Sequence, residues 1–429
     1  MLLSIPISCV ALLAWPGLAF AEWTSVTTLQ TSARVYVPQT HSPIGVGRGL
    51  LVGLHGCLQT ASDLEMLGNL ETSAEALGVV LALPDAPFGG VIAGCWDYYG
   101  TDHTRHTRHN GAILSLTESL LEDDALEIDP DQVYVAGLSS GGGEAVVIGC
   151  LAPEVFAGVG VIAGPALGTQ ASEIASVATT VRAAATSCST LAGPEAPALQ
   201  TQLAVAYASS GDFVVAQGYA ELNAQMYTEL YDAEVGEGFD LQGAPGYQPA
   251  GEGLFFDDPA GHRVAWLFAQ GQGHAWPAGS GPGPELSYVA TEGVDFARFA
   301  LEFFVDNNRR VDVPPGGEGG DAGGGTDSTG GSDGDAEGTD GETDGGTGGG
   351  SNASSSDGVA SEDACESGEP IATGDTGSGT DGSPATGDGG GCRVGSPVWP
   401  PSPLMLLPFF YFFTVSRQRP KGRPNRDDD

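Results

Sequence analysis

Residues 134–144 read YVAGLSSGGGE, two adjacent serines set among glycines. Only Ser139 has glycine two places away on both sides, Gly137 and Gly141; a register centred on Ser140 would need glycine where Leu138 stands. The apolar, β-branched stretch DQVYVAGL before it and the small-residue run GGGEAVVIGCLAPEVF after it predict a strand, a sharp turn and a helix. A turn of that kind exposes a serine hydroxyl while glycines let neighbouring backbones approach closely. Gly330, Ser332 and Gly334 repeat the spacing without any strand or helix around it, so Ser332 is set aside.

A serine hydroxyl is a weak nucleophile at neutral pH, and needs a histidine to take its proton and a carboxylate to orient that histidine. After a strand–turn–helix serine the chain order is serine, acid, histidine. Five of the seven histidines precede Ser139, leaving His262 and His274. His262 opens the apolar run HRVAWLF and reads as a strand-edge residue, whereas His274 follows that strand in the glycine loop GQGHAWP. For the acid, QLAVAYASSGDFVV places Asp212 just past a buried strand, at the end where open α/β sheets assemble their sites. Asp212 could instead cap a helix starting at Phe213; Asp232 and Asp240 are the fallback acids. Acyl transfer also needs two N–H donors for the oxyanion. Ser140 is expected to supply one from its backbone, and the loop GLHGCLQ the other, at Cys57. His55 in that loop reads as structural, bonding neighbouring backbone.

The elements that must hold these residues are short apolar runs, SARVYVP, GLLVGLHG, GVVLALPDA, DQVYVAGLS, FAGVGVIAG, QLAVAYASS and HRVAWLFAQ, alternating with helical stretches at 61–77, 110–126, 141–151 and 213–232. Several are continuously apolar, as strands buried on both faces should be. The pattern predicts an α/β fold, a mostly parallel sheet with helices on both faces, over residues 22–310. Residues 1–21, MLLSIPISCVALLAWPGLAFA, read as a cleaved secretory leader. Cys57, Cys95, Cys150, Cys188, Cys365 and Cys392 would then remain in an exported chain. Their connectivity is open; Cys57 with Cys95, both at strand–loop ends, is favoured, and Cys150 with Cys188 is the second choice.

The chain carries 15 Lys+Arg against 55 Asp+Glu, a formal net charge of −40, and has no lysine before Lys421. Such a field repels phosphate backbones, which excludes nucleic acid as a partner. Residues 311–391 turn to Gly, Asp, Ser and Thr and read as a disordered, self-repelling linker. DGDAEGTDGETD within it has a partial calcium-loop spacing but no flanking helices. Residues 392–429 join Cys392, a short apolar run and the basic residues from Arg417 to Arg426. They resemble the C-terminal sorting tails of myxobacterial surface proteins, which implies processing at Cys392, tethering to the cell surface or outer membrane, and sorting machinery as a partner; a plain terminal anchor is the alternative.

The pieces LHGCLQ, GCWDYYG, DPDQVYVAGLSSGG, SGDFVV and GQGHAWPAG, in this order from residue 54 to 278, resemble the extracellular poly(3-hydroxybutyrate) depolymerase and feruloyl esterase group of α/β hydrolases. The resemblance implies the α/β-hydrolase fold, the triad Ser139, Asp212 and His274, and Trp96 lining the acyl or polymer groove. It implies a secreted monomeric serine esterase, with no cofactor and no metal, acting on polyester or its oligomers; esters of plant polysaccharide are the alternative. The stretch TDHTRHTRHNG departs from the family pattern, and its His103, His106, His109 and two arginines are expected to serve ion pairing rather than a metal. A scaffold kept only for binding would show damaged triad positions, and all three stand intact here.

Overall fold

The structure is a computed structural model that describes residues 22–311. The leader, the linker with its acidic loop and Ser332, Cys365, Cys392 and the C-terminal tail lie outside the described residues.

The continuously apolar runs form the middle of the sheet. β3 (Arg48–Leu54), β4 (Val79–Pro84), β5 (Ile128–Leu138), β6 (Gly158–Ile162), β7 (Leu203–Ser209) and β11 (Gly261–Ala269) run parallel to one another. β1 (Trp23–Thr27) and β2 (Ser32–Tyr36) extend one edge, and β10 (Gly251–Asp258) and β8 (Glu234–Asp240) the other, all by antiparallel pairing. The strand order is β1-β2-β4-β3-β5-β6-β7-β11-β10-β8. The sheet is therefore mixed rather than mostly parallel over its width. Its parallel core is buried on both faces, as the lack of alternation implied, whereas EVGEGFD of β8 is a largely exposed edge whose acids hide its strand character. Beyond it, β9 (Gly246–Tyr247) pairs with β14 (Gly293–Val294), and β12 (Trp276–Pro277) with β13 (Val289–Ala290).

Helices cover both faces. One face packs α1 (Ala61–Leu67), α2 (Leu70–Leu77) and α7 (Phe296–Asp306) over a core holding Leu64, Leu70, Trp276 and Phe304. The other carries α3 (Asn110–Leu121), α4 (Ser140–Leu151), α5 (Val181–Ala192) and α6 (Gly218–Tyr231) over Trp96, Ile113, Val147 and Tyr227. The predicted helix 61–77 breaks in two because Asn69 takes a left-handed conformation, φ 55°, and its side-chain amide donates to Asp295 Oδ2 and Ala278 O. The helix expected from residue 213 starts only at Gly218, because Asp212 draws the next amides to itself. Disulfides join Cys57 to Cys95 and Cys150 to Cys188, each across 38 residues. Closing a loop of that length restricts the unfolded chain and stabilises by roughly 3–4 kcal/mol.

All twelve residues of α4 are buried, Glu144 among them, and neither of its carboxylate oxygens has a hydrogen-bond partner. Burial, reinforced by nearby Asp97 and only partly offset by Arg108, pushes its pKa up to about 8. The folded chain therefore holds a proton that the unfolded chain releases near the ordinary value of 4.5. Stability from this group is complete below that value and is lost as pH rises towards about 8, with a slope on the order of 1.4 kcal/mol per pH unit. Denaturant unfolding of the full chain between pH 5 and 8.5 should show Glu144→Gln gaining on the parent as pH rises. A gap that stays constant would contradict the buried neutral carboxyl.

Candidate active site

Ser139 sits between β5 and α4 with φ 58° and ψ −117°, a conformation that a residue with a side chain adopts only under local constraint. Its N–H donates to Ile162 O at the end of β6 (2.8 Å), and its C=O accepts from Gly143 N–H (2.9 Å). The glycines on either side are required by contact. A Cβ on Gly137 would stand 2.2 Å from Gly141 O, and one on Gly141 would stand 2.4 Å from Leu54 O. The elbow thus packs backbone to backbone against the end of β3, where the LHGCLQ loop begins.

At the same edge of the sheet, Asp212 follows β7 and His274 follows β11, strands that pair side by side. Asp212 is buried, and its two oxygens divide the work. Oδ1 accepts from Val214 N–H (2.8 Å) and Val215 N–H (3.1 Å), while Oδ2 lies 2.8 Å from His274 Nδ1. Asp212 caps no helix at Phe213, since α6 begins at Gly218; one of its oxygens closes the loop after β7 and the other meets His274. The two loops are also tied directly, by Ser209 Oγ donating to Gln272 O (2.7 Å). With Nδ1–H on Asp212, His274 keeps Nε2 as an acceptor. Ser139 Oγ and His274 Nε2 have no hydrogen-bond partner among the described residues, so the structure joins the acid to the base and sets the serine on the same edge without that third bond.

His262 does pair with a carboxylate, Asp257 Oδ1 at 2.6 Å, but in the β10–β11 turn, at the opposite end of β11 from His274. Asp232 caps the C-terminus of α6 and Asp240 accepts from Gln242 N–H, both away from His274.

A network of side-chain hydrogen bonds fixes the LHGCLQ loop. His55 is buried, and Ala86 N–H can only donate to its Nε2 (3.2 Å). The ring proton is then on Nδ1, donated to Gly56 O (2.8 Å). Burial lowers the pKa of His55, which keeps it neutral and makes it an orienting group rather than a base. In a planar trans peptide the C=O and N–H point in opposite directions, so holding Gly56 O aims the Cys57 N–H the other way. Gln59 Oε1 accepts Gly56 N–H (2.7 Å), and its Nε2 donates to Ser287 O. The Ser140 hydroxyl accepts Trp96 N–H (3.2 Å) and donates to the Cys57 Sγ of the Cys57–Cys95 bridge (3.3 Å). Neither Cys57 N–H nor Ser140 N–H has an acceptor among the described residues, and two free amides on adjoining segments can receive an oxyanion.

Trp96 requires a correction. It is 0 % exposed in the core, and its indole N–H donates to His55 O (2.9 Å), so it braces the loop from beneath and cannot line an open groove. Sequence reasoning missed this bracing role, together with those of Gln59 and the Ser140 hydroxyl. Only the LHGCLQ and GCW motifs, taken as a pair, hinted at it. In the TDHTRHTRHNG stretch, Arg105 pairs with Glu154 and Arg108 with Asp97. His109 Nδ1 accepts Asp97 N–H (3.1 Å), His103 is buried and His106 is exposed. Among the described residues no group of three or more His, Cys, Asp or Glu is placed to hold a metal.

The family model described as Esterase PHB depolymerase matches residues 33–227, which carry Ser139 and Asp212 but stop short of His274. A poly(3-hydroxybutyrate) depolymerase from Ralstonia pickettii is 35% identical over 274 residues, 62% of this chain and 55% of that protein. A probable acetylxylan esterase A from Neosartorya fischeri is 27% identical over 137 residues, 31% of this chain and 35% of that protein. The chain thus spans about half or less of the length of these relatives. Among solved structures, an acetyl xylan esterase from Aspergillus awamori superposes with a TM-score of 0.49 at 19% identity, covering 59% of this chain and 94% of that one.

The divided carboxylate allows a sharp test. In Asp212→Asn the amide oxygen can keep the Val214 and Val215 N–H bonds, which leaves an NH2 facing His274 Nδ1. The ring must then carry its proton on Nε2, where it cannot accept another. Ester turnover should fall by about 10^4-fold while thermal unfolding stays within a few degrees; unchanged turnover would reduce Asp212 to a loop cap.

Proposed function

We propose that this chain is an exported serine esterase that hydrolyses carboxylic esters through an acyl-enzyme, with poly(3-hydroxybutyrate)-type polyester or its oligomers as substrate. The observation that carries the reading is the Asp212–His274 pair at the carboxyl edge of the sheet, beside a serine held at φ 58°. Ser139 Oγ attacks the ester carbonyl as His274 Nε2 takes its proton, and Asp212 Oδ2 steadies the resulting imidazolium. The amides of Cys57 and Ser140 receive the oxyanion, a service worth about 2.7–4 kcal/mol per donor in comparable sites. His274 then returns the proton to the leaving alcohol, and water repeats the sequence to free the acid. The match to the depolymerase family and the 35% identity to a depolymerase favour polyester. Two disulfides support an oxidising compartment, in keeping with an exported and surface-tethered protein. Acetyl or feruloyl esters of plant polysaccharide are the second reading, favoured by the similarity to acetylxylan esterases.

Ser139→Ala should abolish turnover with the fold intact. The full-length protein assayed on amorphous polyhydroxybutyrate, acetylated xylan, methyl ferulate and a short-chain nitrophenyl ester separates the readings. Polymer clearing supports the first, xylan or ferulate hydrolysis without clearing supports the second, and full turnover by Ser139→Ala contradicts both.

A further inference from the structure

Thirteen large apolar side chains are exposed among the described residues, and nine of them lie on loops that leave the carboxyl ends of the parallel strands. A random scatter of surface apolar residues is ordinary, but a concentration around one site marks a contact surface. Leu58 follows Cys57 directly. Phe88 (94 % exposed) and Ile92 (68 %) stand on the loop that ends at Cys95, and Leu58 N–H donates to Ala93 O to join the two segments. Phe213 (91 %) and Val214 follow Asp212 directly. Leu286 lies on the loop after His274, which Gln59 bonds to the LHGCLQ loop through Ser287 O. The segments after β3, β4, β7 and β11 thus present exposed apolar side chains, whereas the Ser139 turn, which runs into the buried α4, does not.

From this we infer that the catalytic domain itself docks on a water-insoluble aliphatic polyester, through an apolar collar around the site. The inference rests on the esterase reading and narrows it to a substrate presented as a solid surface. The occupant follows from chemistry and position. The collar loops carry no lysine or arginine between residues 55 and 60, 85 and 95 or 210 and 217, so they offer nothing to a phosphate headgroup or an anionic polymer. On a chain of net charge −40, association with an uncharged solid must come from apolar contact. Leu58 and Phe213 stand next in sequence to Cys57 and Asp212, and Gln59 ties the Leu286 loop to the Cys57 loop, so a polymer seated on these side chains would lie near the cleaving groups.

The test uses full-length protein and polyhydroxybutyrate granules. Phe88→Ser/Ile92→Ser/Phe213→Ser should raise the apparent dissociation constant for granules at least tenfold and slow granule clearing. Turnover of a soluble nitrophenyl ester should stay within about threefold of the parent. Met66→Ser/Val235→Ser, which removes exposed apolar residues off the collar, should leave adsorption unchanged. Ser139→Ala should adsorb like the parent; that result holds even if the esterase reading fails, so the two claims can fail separately. Equal adsorption of the collar variant and the parent would overturn the inference, as would equal weakening by the off-collar variant. So would a collar-dependent dimer in sedimentation, or collar-dependent binding to phosphatidylcholine vesicles without binding to granules.

Discussion

The site depends on one close approach of backbone to backbone. Gly137 and Gly141 let the start of α4 lie against the ends of β3 and β5 at distances that no side chain would allow. That contact forces Ser139 into its positive-φ conformation and puts the LHGCLQ loop next to the first turn of α4. The free amides of Cys57 and Ser140 are neighbours for the same reason. Strain of this order costs about 1–3 kcal/mol, and the surroundings supply more than enough to hold it. A helix buried along its whole length sits behind the turn, β6 accepts the serine N–H, one disulfide ties the LHGCLQ loop to the Cys95 loop, and the other ties α4 to α5.

The polar groups around the turn are arranged so that each fixes one degree of freedom. His55, buried and neutral, sets the plane of the Gly56–Cys57 peptide. Gln59 holds the preceding peptide through Gly56 N–H and links the loop to the one after His274. The Ser140 hydroxyl spans the disulfide and the Trp96 backbone. On the other side of the site, Asp212 spends one oxygen on its own loop and the other on His274, so the acid that orients the base is itself held by two amides. Such preorganisation means that little reorganisation remains to be made when charge develops on a reacting carbonyl.

Much of this was legible in the chain because the chemistry imposes local patterns. A strand followed by Gly-x-Ser-x-Gly and a small-residue helix is an elbow, and the strands before Asp212 and His274 are continuous apolar runs whose ends mark the site. What could not be read depends on tertiary neighbours. Trp96 stands next to a loop cysteine, and nothing in GCWDYYG tells whether its indole turns outwards or, as it does, under His55. The break at Asn69 follows from Asp295, more than 200 residues away. The strands β8 and β10 are not legible in the chain because EVGEGFD forms the open edge of the sheet and GEGLFFDD the strand next to it, both with few buried side chains. The collar is scattered over the chain and is gathered only by the parallel topology.

The central claim is that Ser139, driven by His274, is the nucleophile, and the most direct measurement is covalent capture. Full-length protein treated with a fluorophosphonate ester and digested should yield one adduct, placed by fragmentation on Ser139 rather than Ser140. The rate of its formation should fall by at least about 10^3-fold in His274→Ala. An adduct on Ser140, or labelling of Ser139 at the same rate without His274, would contradict the account.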